Sequence, residues 1–122
     1  MCGINCFFTS RLEDAKGNVD WLSGAKSHIE ARGPDNYSET YSEDLCIGFA
    51  HSRLAIVDLD DRSNQPFIEG DLTLVYNGEI YNHKQIRREL LGKGCVFQTQ
   101  SDTEVLLKGY KYWGNKVFQK ID

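Results

Sequence analysis

The order of apolar and polar positions at the start of the chain predicts a β-strand over residues 2–10. Ile4, Cys6 and Phe8 fall on one face of that strand. Phe7 falls on the other face. Apolar residues on both faces are typical of a strand that is covered on both sides. The first strand is therefore expected to lie between two layers of other residues.

A helix is predicted after a polar turn region at residues 11–18. Asp20 is a suitable N-cap for it, because its carboxylate can accept a hydrogen bond from the first turn. The apolar positions behind this cap recur near helical spacing. They are Trp21, Leu22, Ala25 and Ile29. Gly33-Pro34 ends the helix, because the residue before a proline is disfavoured in the helical region.

Short strands and two further helices are predicted for the rest of the chain. A strand pair is predicted at residues 36–41 and 45–54, around a turn at 42–44. Further strands are predicted at 72–76 and 96–98, and a helix at 83–91. The last helix opens at Ser101-Asp102-Thr103-Glu104, which matches the capping box. Strands and helices mix without a regular βαβ order, so the predicted fold class is α+β.

Composition and charge favour one domain that binds neither nucleic acid nor a membrane. The chain has 122 residues and a net charge of −4, and an acidic balance disfavours nucleic acid as the main partner. No apolar run approaches the roughly 20 residues of a membrane span, and the first residues do not form a signal peptide pattern. We therefore expect a cytoplasmic location.

The cysteine spacing does not predict a metal site. No pair has the C-x-x-C spacing of zinc ligands, so no metal is expected. We expect reduced thiols, three of which are predicted to be small core residues. Those three are Cys6, Cys46 and Cys95. No glycine-rich phosphate loop is present, so nucleotide binding has no support.

Cys2 is the residue with the most distinctive chemistry. If Met1 is removed, Cys2 carries a thiol and a free α-amine on one Cα, and the ordinary pKa values of these groups are about 8.5 and about 7.7–8.0. The amine can accept the proton while the sulfur attacks, as in N-terminal nucleophile enzymes. Gly3 adds no side chain that would obstruct a substrate. The alternative is an ordinary buried cysteine at the head of a strand.

Six short motifs occur in order along the whole chain. They are Cys2-Gly3-Ile4, Arg32-Gly33-Pro34-Asp35, the segment from His51 to Asp58, Gln65-Pro66, the segment from Asn77 to His83, and Ser101-Asp102-Thr103-Glu104. Together they resemble the class II glutamine amidotransferase domain of the glutamine-hydrolysing asparagine synthetases. The forms R-L-A-I-V-D and N-G-E-I-Y-N-H resemble the asparagine synthetase branch of that class.

The resemblance implies an N-terminal nucleophile hydrolase fold, an αββα sandwich with Cys2 at a strand end. It assigns residues 1–122 to a glutamine amidotransferase type-2 domain that is incomplete at its C-terminus, since the family continues into further strands and an ATP-using synthetase domain. ATP and magnesium are expected only in that absent domain, so no cofactor is expected in this portion. Ala31 replaces the histidine that often precedes R-G-P-D, which is expected to alter helix-end packing more than catalysis.

The resemblance also assigns the catalytic residues. Cys2 would be the nucleophile and its α-amine the base. Asn77, through its side-chain amide, and Gly78, through its backbone N–H, would form the oxyanion hole, and amide hydrolysis needs two such donors at the developing charge. The alternative for Asn77 is a simple turn residue. His51 and His83 are interpreted as structural, because an N-terminal cysteine needs no histidine base.

Three charged residues are assigned to substrate binding by the same resemblance. Arg53 would bind the α-carboxylate of glutamine, and Glu79 and Asp102 its α-ammonium group, which are the charge types that this recognition requires. The alternative for Arg53 is a structural ion pair with Asp58 or Asp35. The alternative for Asp102 is stabilisation of its helix by a carboxylate in the first turn.

The function implied by the resemblance is glutamine hydrolysis to glutamate and ammonia through a γ-glutamyl thioester on Cys2. The ammonia would pass to a synthetase domain or subunit and amidate an acceptor carboxylate. Two alternatives are a non-catalytic glutamine-binding or scaffolding remnant and an N-terminal nucleophile hydrolase of another amide. The sequence predicts neither the final nitrogen acceptor nor an oligomeric state.

Overall fold

A three-stranded antiparallel sheet contains the N-terminal strand. The computed structural model describes residues 2–42, 44, 46–55 and 60–122, with the backbone alone at residues 12, 15 and 16. The strands are β1 (Gly3–Phe8), β2 (Asn36–Ser42) and β3 (Ile47–Arg53), in the order β1-β3-β2. The predicted N-terminal strand and strand pair are confirmed, while Glu43 and Leu45 of that pair lie outside the described residues.

The register of the sheet brings the start of β1 beside the end of β3. Gly3 lies opposite Ser52 on one side of β3, and Tyr37 lies opposite Ser52 on the other. The strand β3 has a hydrogen-bonded neighbour on both sides, and its second half is the most buried part of the sheet. Ala50, His51 and Ser52 are fully buried.

The helical segment between β1 and β2 begins earlier than its sequence pattern predicts. It consists of α1 (Leu12–Gly24), α2 (Lys26–Ile29) and a 3₁₀ turn (Glu30–Arg32). The prediction of a polar turn over residues 11–18 with a cap at Asp20 is therefore wrong. Acidic residues in the first turn favour helix there through the dipole, and the glycine inside the helix faces open space.

The two faces of β1 have different environments. The Asn5 side-chain amide donates to the Ala25 carbonyl at 3.5 Å, so this face lies against the helices. On the opposite face, Cys6 is exposed and Phe8 is 76% exposed. The prediction of a strand covered on both sides is therefore wrong for the described chain, as is the prediction of Cys6 as a core residue.

The other cysteines and the helix core agree better with the sequence pattern. Cys46 is buried as predicted, Cys95 is half-buried, and all four cysteines are free thiols. Three of the predicted apolar helix positions are buried, namely Leu22, Ala25 and Ile29. Trp21 is 53% exposed, because consecutive helix residues point in different directions.

A short hairpin precedes the Asn77 motif. It consists of β4 (Phe67–Glu69) and β5 (Leu72–Leu74), with Gly70 at a φ of 63° in the turn. Pairing is antiparallel, and Phe67 lies opposite Leu74. The predicted strand at residues 72–76 is confirmed, although it ends two residues early.

The C-terminal part of the chain is helical. Helix α3 (His83–Leu91) has the predicted bounds and buries Ile86 and Leu90. It packs against α4 (Asp102–Trp113), which is followed by a 3₁₀ segment at Gly114–Gln119. The buried residues of this second core include Val105, Leu107 and Val117.

The segment before α4 is not a strand, so the prediction for residues 96–98 is wrong. The backbone N–H groups of Gln98 and Thr99 donate instead to the buried Glu104 carboxylate, at 2.9 and 2.7 Å. The capping box is half-formed: Ser101 Oγ accepts from the Glu104 N–H at 3.2 Å. The Glu104 side chain does not complete the box, because it is occupied by the preceding loop.

Contacts divide the chain into two compact units. The first is Met1–Ile56 with Asn64–Asn77, and the second is Val57–Ser63 with Gly78–Asp122. Both described sheets belong to the first unit, and α3 and α4 belong to the second. This mixture of helices and small antiparallel sheets is compatible with the predicted α+β class. None of the helices in the described residues is long and apolar enough to cross a membrane.

Candidate active site

The Cys2 thiol lies at the start of β1, beside the chain that leaves β3. The backbone N–H of Leu54 points to the sulfur at 3.4 Å, and the sulfur lies 3.9 Å from the Leu54 carbonyl oxygen. The residue is half-buried. A Cβ at Gly3 would lie 2.7 Å from the Ile29 Cβ, so the glycine next to the thiol is required by packing within the first unit.

The R-G-P-D motif contacts both the start of β1 and the end of β3. Arg32 Nε donates to the carbonyl oxygen of Cys2 at 3.2 Å. A Cβ at Gly33 would overlap the backbone of Ser52 and Arg53, so only glycine permits this approach. Ser52 Oγ donates to the Gly33 carbonyl at 2.6 Å. The motif therefore does more than end a helix, since it connects Cys2 to the end of β3.

Arg53 is the last residue of β3 and is 6% exposed. Its Nη1 donates to Asn64 Oδ1 at 2.7 Å. The Asp35 carboxylate, one of the two alternative partners, accepts from the Ala55 N–H at 2.8 Å. Asp58, the other alternative partner, lies outside the described residues. Because Arg53 is largely shielded from water, a carboxylate in contact with its guanidinium would be bound strongly.

His51 is fully buried in β3, two residues before Arg53. Burial lowers the pKa of its imidazole, the positive charge of Arg53 lowers it further, and a contact with the Tyr76 backbone opposes both effects. A neutral buried imidazole is consistent with the structural role predicted for it.

Asn77 is exposed and follows the β4-β5 hairpin. The residue before it is held by the Gln-Pro motif: the side-chain carbonyl of the buried Gln65 accepts from the backbone N–H of Tyr76. No function was predicted for Gln65 from the sequence. The only indication there of its importance is that it belongs to one of the six motifs. The structure indicates that it fixes the chain leading into Asn77.

Gly78, Glu79 and Asp102 belong to the second unit. Gly78 and Glu79 are exposed, whereas Ile80 is 2% exposed. The Asp102 carboxylate accepts from the backbone N–H of Ile80 through Oδ2 at 3.1 Å. Within this unit the structure therefore brings Asp102 to the backbone just beyond Glu79.

Hydrogen bonds also hold the segment after Ile80. Tyr81 N–H donates to the Asp122 carbonyl at 2.7 Å. Asn82 Nδ2 donates to the Lys120 carbonyl at 2.7 Å, and Asn82 Oδ1 accepts from the Asp122 N–H at 3.1 Å. The N-G-E-I-Y-N-H motif thus begins with exposed residues, whereas Tyr81 and Asn82 near its end are hydrogen-bonded to the backbone of residues 120 and 122.

The half-buried Cys2 thiol lies at the head of the first strand, beside a strand that ends in the buried Arg53, and this arrangement is compatible with a thiol enzyme. Comparison with known proteins makes the assignment specific. The family model described as a glutamine amidotransferase domain matches residues 1–122. The chain therefore belongs to the glutamine amidotransferase domain family.

Similar proteins include two from Bacillus subtilis (strain 168). Asparagine synthetase [glutamine-hydrolyzing] 1 is 36% identical over 124 residues, 99% of this chain and 19% of that protein. Asparagine synthetase [glutamine-hydrolyzing] 3 is 40% identical over 119 residues, 93% of this chain and 18% of that protein. Amidase chry2 of Gibberella zeae is 36% identical over 124 residues, 93% of this chain and 18% of that protein.

The chain spans about a fifth of the length of these curated relatives. It is a glutamine amidotransferase domain homologous to glutamine-hydrolysing asparagine synthetases, and the homology supports a glutaminase role. The predicted family is thereby confirmed. The individual roles of the predicted site residues stay predictions.

Proposed function

We propose that this domain hydrolyses glutamine through a covalent thioester on Cys2. The sulfur attacks the side-chain amide carbon, and the C–N bond breaks after the Cys2 α-amine, which has taken the thiol proton, gives it to the departing ammonia. Water then attacks the γ-glutamyl thioester, which releases glutamate and restores the thiol. The observation that carries the proposal is the family match over residues 1–122 in a chain whose Cys2 directly precedes the first strand.

The oxyanion hole is proposed to consist of the Asn77 side-chain amide and the Gly78 backbone N–H. Both residues are exposed. Each donor in such a hole is worth roughly 3 kcal/mol of transition-state stabilisation. The fold proposed for this domain is the αββα sandwich of N-terminal nucleophile hydrolases.

Glutamine recognition is proposed to depend on Arg53, Glu79 and Asp102. The low exposure of Arg53 supports its assignment to the substrate carboxylate, because a desolvated guanidinium binds an anion more strongly than an exposed one. Glu79 is exposed and Asp102 half-buried, and their negative charges suit the α-ammonium group. This portion is proposed to need no cofactor of its own.

The ammonia is proposed to pass to a synthetase domain or subunit that amidates an activated carboxylate with ATP and magnesium. Support comes from the relatives named as glutamine-hydrolysing asparagine synthetases, in which this domain occupies about a fifth of the length. Asparagine is therefore the first product to test. A relative named as an amidase makes other acceptors the second.

The nucleophile is tested by comparing two cysteines on the same N-terminal segment. In the natural full-length protein, Cys2→Ala should abolish ammonia release from glutamine while glutamine still binds. Cys6→Ala is the matched control, because Cys6 is exposed and has no proposed role, so turnover should be unchanged. A glutamine-analogue alkylator should label Cys2, as mapped by peptide mass, and glutamine should protect it.

Three outcomes would contradict parts of the proposal. Turnover by Cys2→Ala would exclude the thioester. Glutamine binding without turnover by the unaltered protein, after Met1 is shown by intact mass to be absent, would favour a non-catalytic binding domain. Equal turnover with and without Met1 would exclude the α-amine as the base, because an amide nitrogen cannot accept the thiol proton.

A further inference from the structure

We infer that Asp102 positions the Gly78–Ile80 backbone and so aligns the oxyanion-hole donor, in addition to binding the substrate ammonium group. The inference rests on the proposed function and deepens it. Its basis is the hydrogen bond from the Ile80 N–H to Asp102 Oδ2, which connects residues 22 positions apart in the second unit.

This hydrogen bond is hard to replace. Ile80 is 2% exposed, so water has little access to its backbone N–H. A buried N–H that loses its acceptor keeps the full cost of desolvation, and the chain would move to find another partner. Within the described residues only Oδ2 of Asp102 accepts a hydrogen bond, so Oδ1 is available to an ammonium group. One carboxylate can therefore serve both purposes.

Asp102 follows a loop that is held by buried hydrogen bonds. It is the first residue of α4, directly after the Ser101 cap. The fully buried Glu104 carboxylate holds the preceding loop at Thr99, where it accepts from both the backbone N–H and Oγ1 at 2.7 Å. Arg87 holds the same loop from α3, because its Nη2 donates to the Thr99 carbonyl at 2.7 Å. A carboxylate fixed in this way is suited to locating a neighbouring segment.

The functional consequence falls on Gly78. Relative to the anchored Ile80 N–H, the direction of the Gly78 N–H depends on the backbone dihedrals of Gly78 and Glu79, and glycine has a wide conformational range that must be restricted from outside. Anchoring Ile80 restricts that range. Because a displacement of about 1 Å at a reacting centre can reduce the rate about 100-fold, the anchor belongs to the chemical step as well as to binding.

Two substitutions at Asp102 separate the roles. Asp102→Asn removes the charge but keeps an oxygen that can accept from Ile80, whereas Asp102→Ala removes both. In the natural full-length protein we expect KM for glutamine to rise roughly 10- to 100-fold in both variants. We expect kcat to fall about 100-fold in Asp102→Ala and to stay within about threefold of the parent in Asp102→Asn.

Glu79 is the matched control, because it is assigned to the same ammonium group and its side chain is exposed. Glu79→Gln and Glu79→Ala should raise KM for glutamine to a similar extent, and the two variants should have the same kcat as each other. If Asp102→Ala and Asp102→Asn likewise share one kcat, whether reduced or unchanged, the positioning role is overturned.

Amide hydrogen exchange at Ile80 tests the anchor without any turnover. Protection should be retained in Asp102→Asn and reduced at least 10-fold in Asp102→Ala, while the buried amide of Leu107 in α4 keeps its protection. Equal Ile80 protection in the parent and Asp102→Ala would overturn the inference. Absence of ammonia release by the unaltered protein would instead overturn the proposed function, and the two failures are thus distinguishable.

Discussion

At the scale of single residues, Arg53 and Asn77 represent two different kinds of contribution. Arg53 is almost completely buried and already donates to Asn64, so it is held in place before any substrate arrives. Asn77 is exposed and lies in a segment without regular secondary structure. A preformed cation binds the ground state and the transition state alike, whereas an oxyanion donor gains strength only as charge develops.

Substitution of these two residues should therefore affect different kinetic constants. Arg53→Ala should weaken glutamine binding by about 1.5–3 kcal/mol, seen as an increase in KM. Asn77→Ala should reduce kcat by roughly 10²- to 10³-fold with a smaller change in KM. Steady-state ammonia release measures both. Asn64→Ala, which removes the hydrogen-bond acceptor of Arg53 Nη1 but no proposed substrate contact, should have the weaker effect on KM. The reverse pattern of KM and kcat changes would exchange the two roles.

At the scale of elements, the R-G-P-D motif determines how the first helical segment joins the sheet. Its glycine lies directly on the backbone at the end of β3, and the adjacent arginine holds the start of β1. Asp35 contributes a further pair of bonds, to the Arg53 carbonyl and the Ala55 N–H. Three residues of the motif therefore connect the backbone of Cys2 with the backbone around Arg53 in the first unit.

Two glycine substitutions test this packing. Gly33→Ala places a Cβ into the Ser52–Arg53 backbone and should lower the free energy of unfolding by about 3 kcal/mol or more, because backbone cannot move aside as a flexible side chain can. Gly17→Ala is the control. Its site lies inside α1 and faces open space, so alanine should raise stability by roughly 0.5–1 kcal/mol. Urea unfolding measures both, and equal effects would contradict the close approach.

At the scale of the whole molecule, a buried histidine makes stability depend on pH. His51 lies in the centre of the sheet, and burial lowers its pKa below the ordinary 6.5. The unfolded chain then binds a proton at a higher pH than the folded chain does. Stability from this group is fully present above the unfolded pKa and declines as pH falls from about 6.5 toward the folded pKa.

The free energy of unfolding should accordingly decrease between about pH 7.5 and about pH 5. In His51→Gln the part of this decrease that comes from the imidazole should be absent, whatever the overall stability of the variant. His28→Gln serves as the control, because His28 is exposed and its removal should leave the pH dependence in place. Urea unfolding over this pH range provides the measurement. Identical pH dependence in His51→Gln and the parent would show that His51 does not titrate differently on folding.

Local sequence signals determined those elements whose caps and apolar periods agree. Helix α3 has the predicted bounds because Ile86 and Leu90 recur at helical spacing before Gly92. Ser101 caps α4 as predicted. The same reasoning missed the first half of α1, because a polar stretch containing Gly17 has a weak helical preference of its own, although acidic residues in the first turn favour the helix there. It also predicted a strand at 96–98, where backbone N–H groups bond to a side chain instead of a neighbouring strand.

For the site, the sequence by itself determined the family and the residue types, because six short motifs in a fixed order identify a glutamine amidotransferase domain. Only the tertiary structure decided which groups hold them in place. Arg32 reaches Cys2 across 30 positions, Gln65 reaches Tyr76 across 11, and Asp102 reaches Ile80 across 22. A periodic pattern encodes contacts between neighbours on one helix or strand, whereas these side chain to backbone bonds exist only after separate elements have packed together.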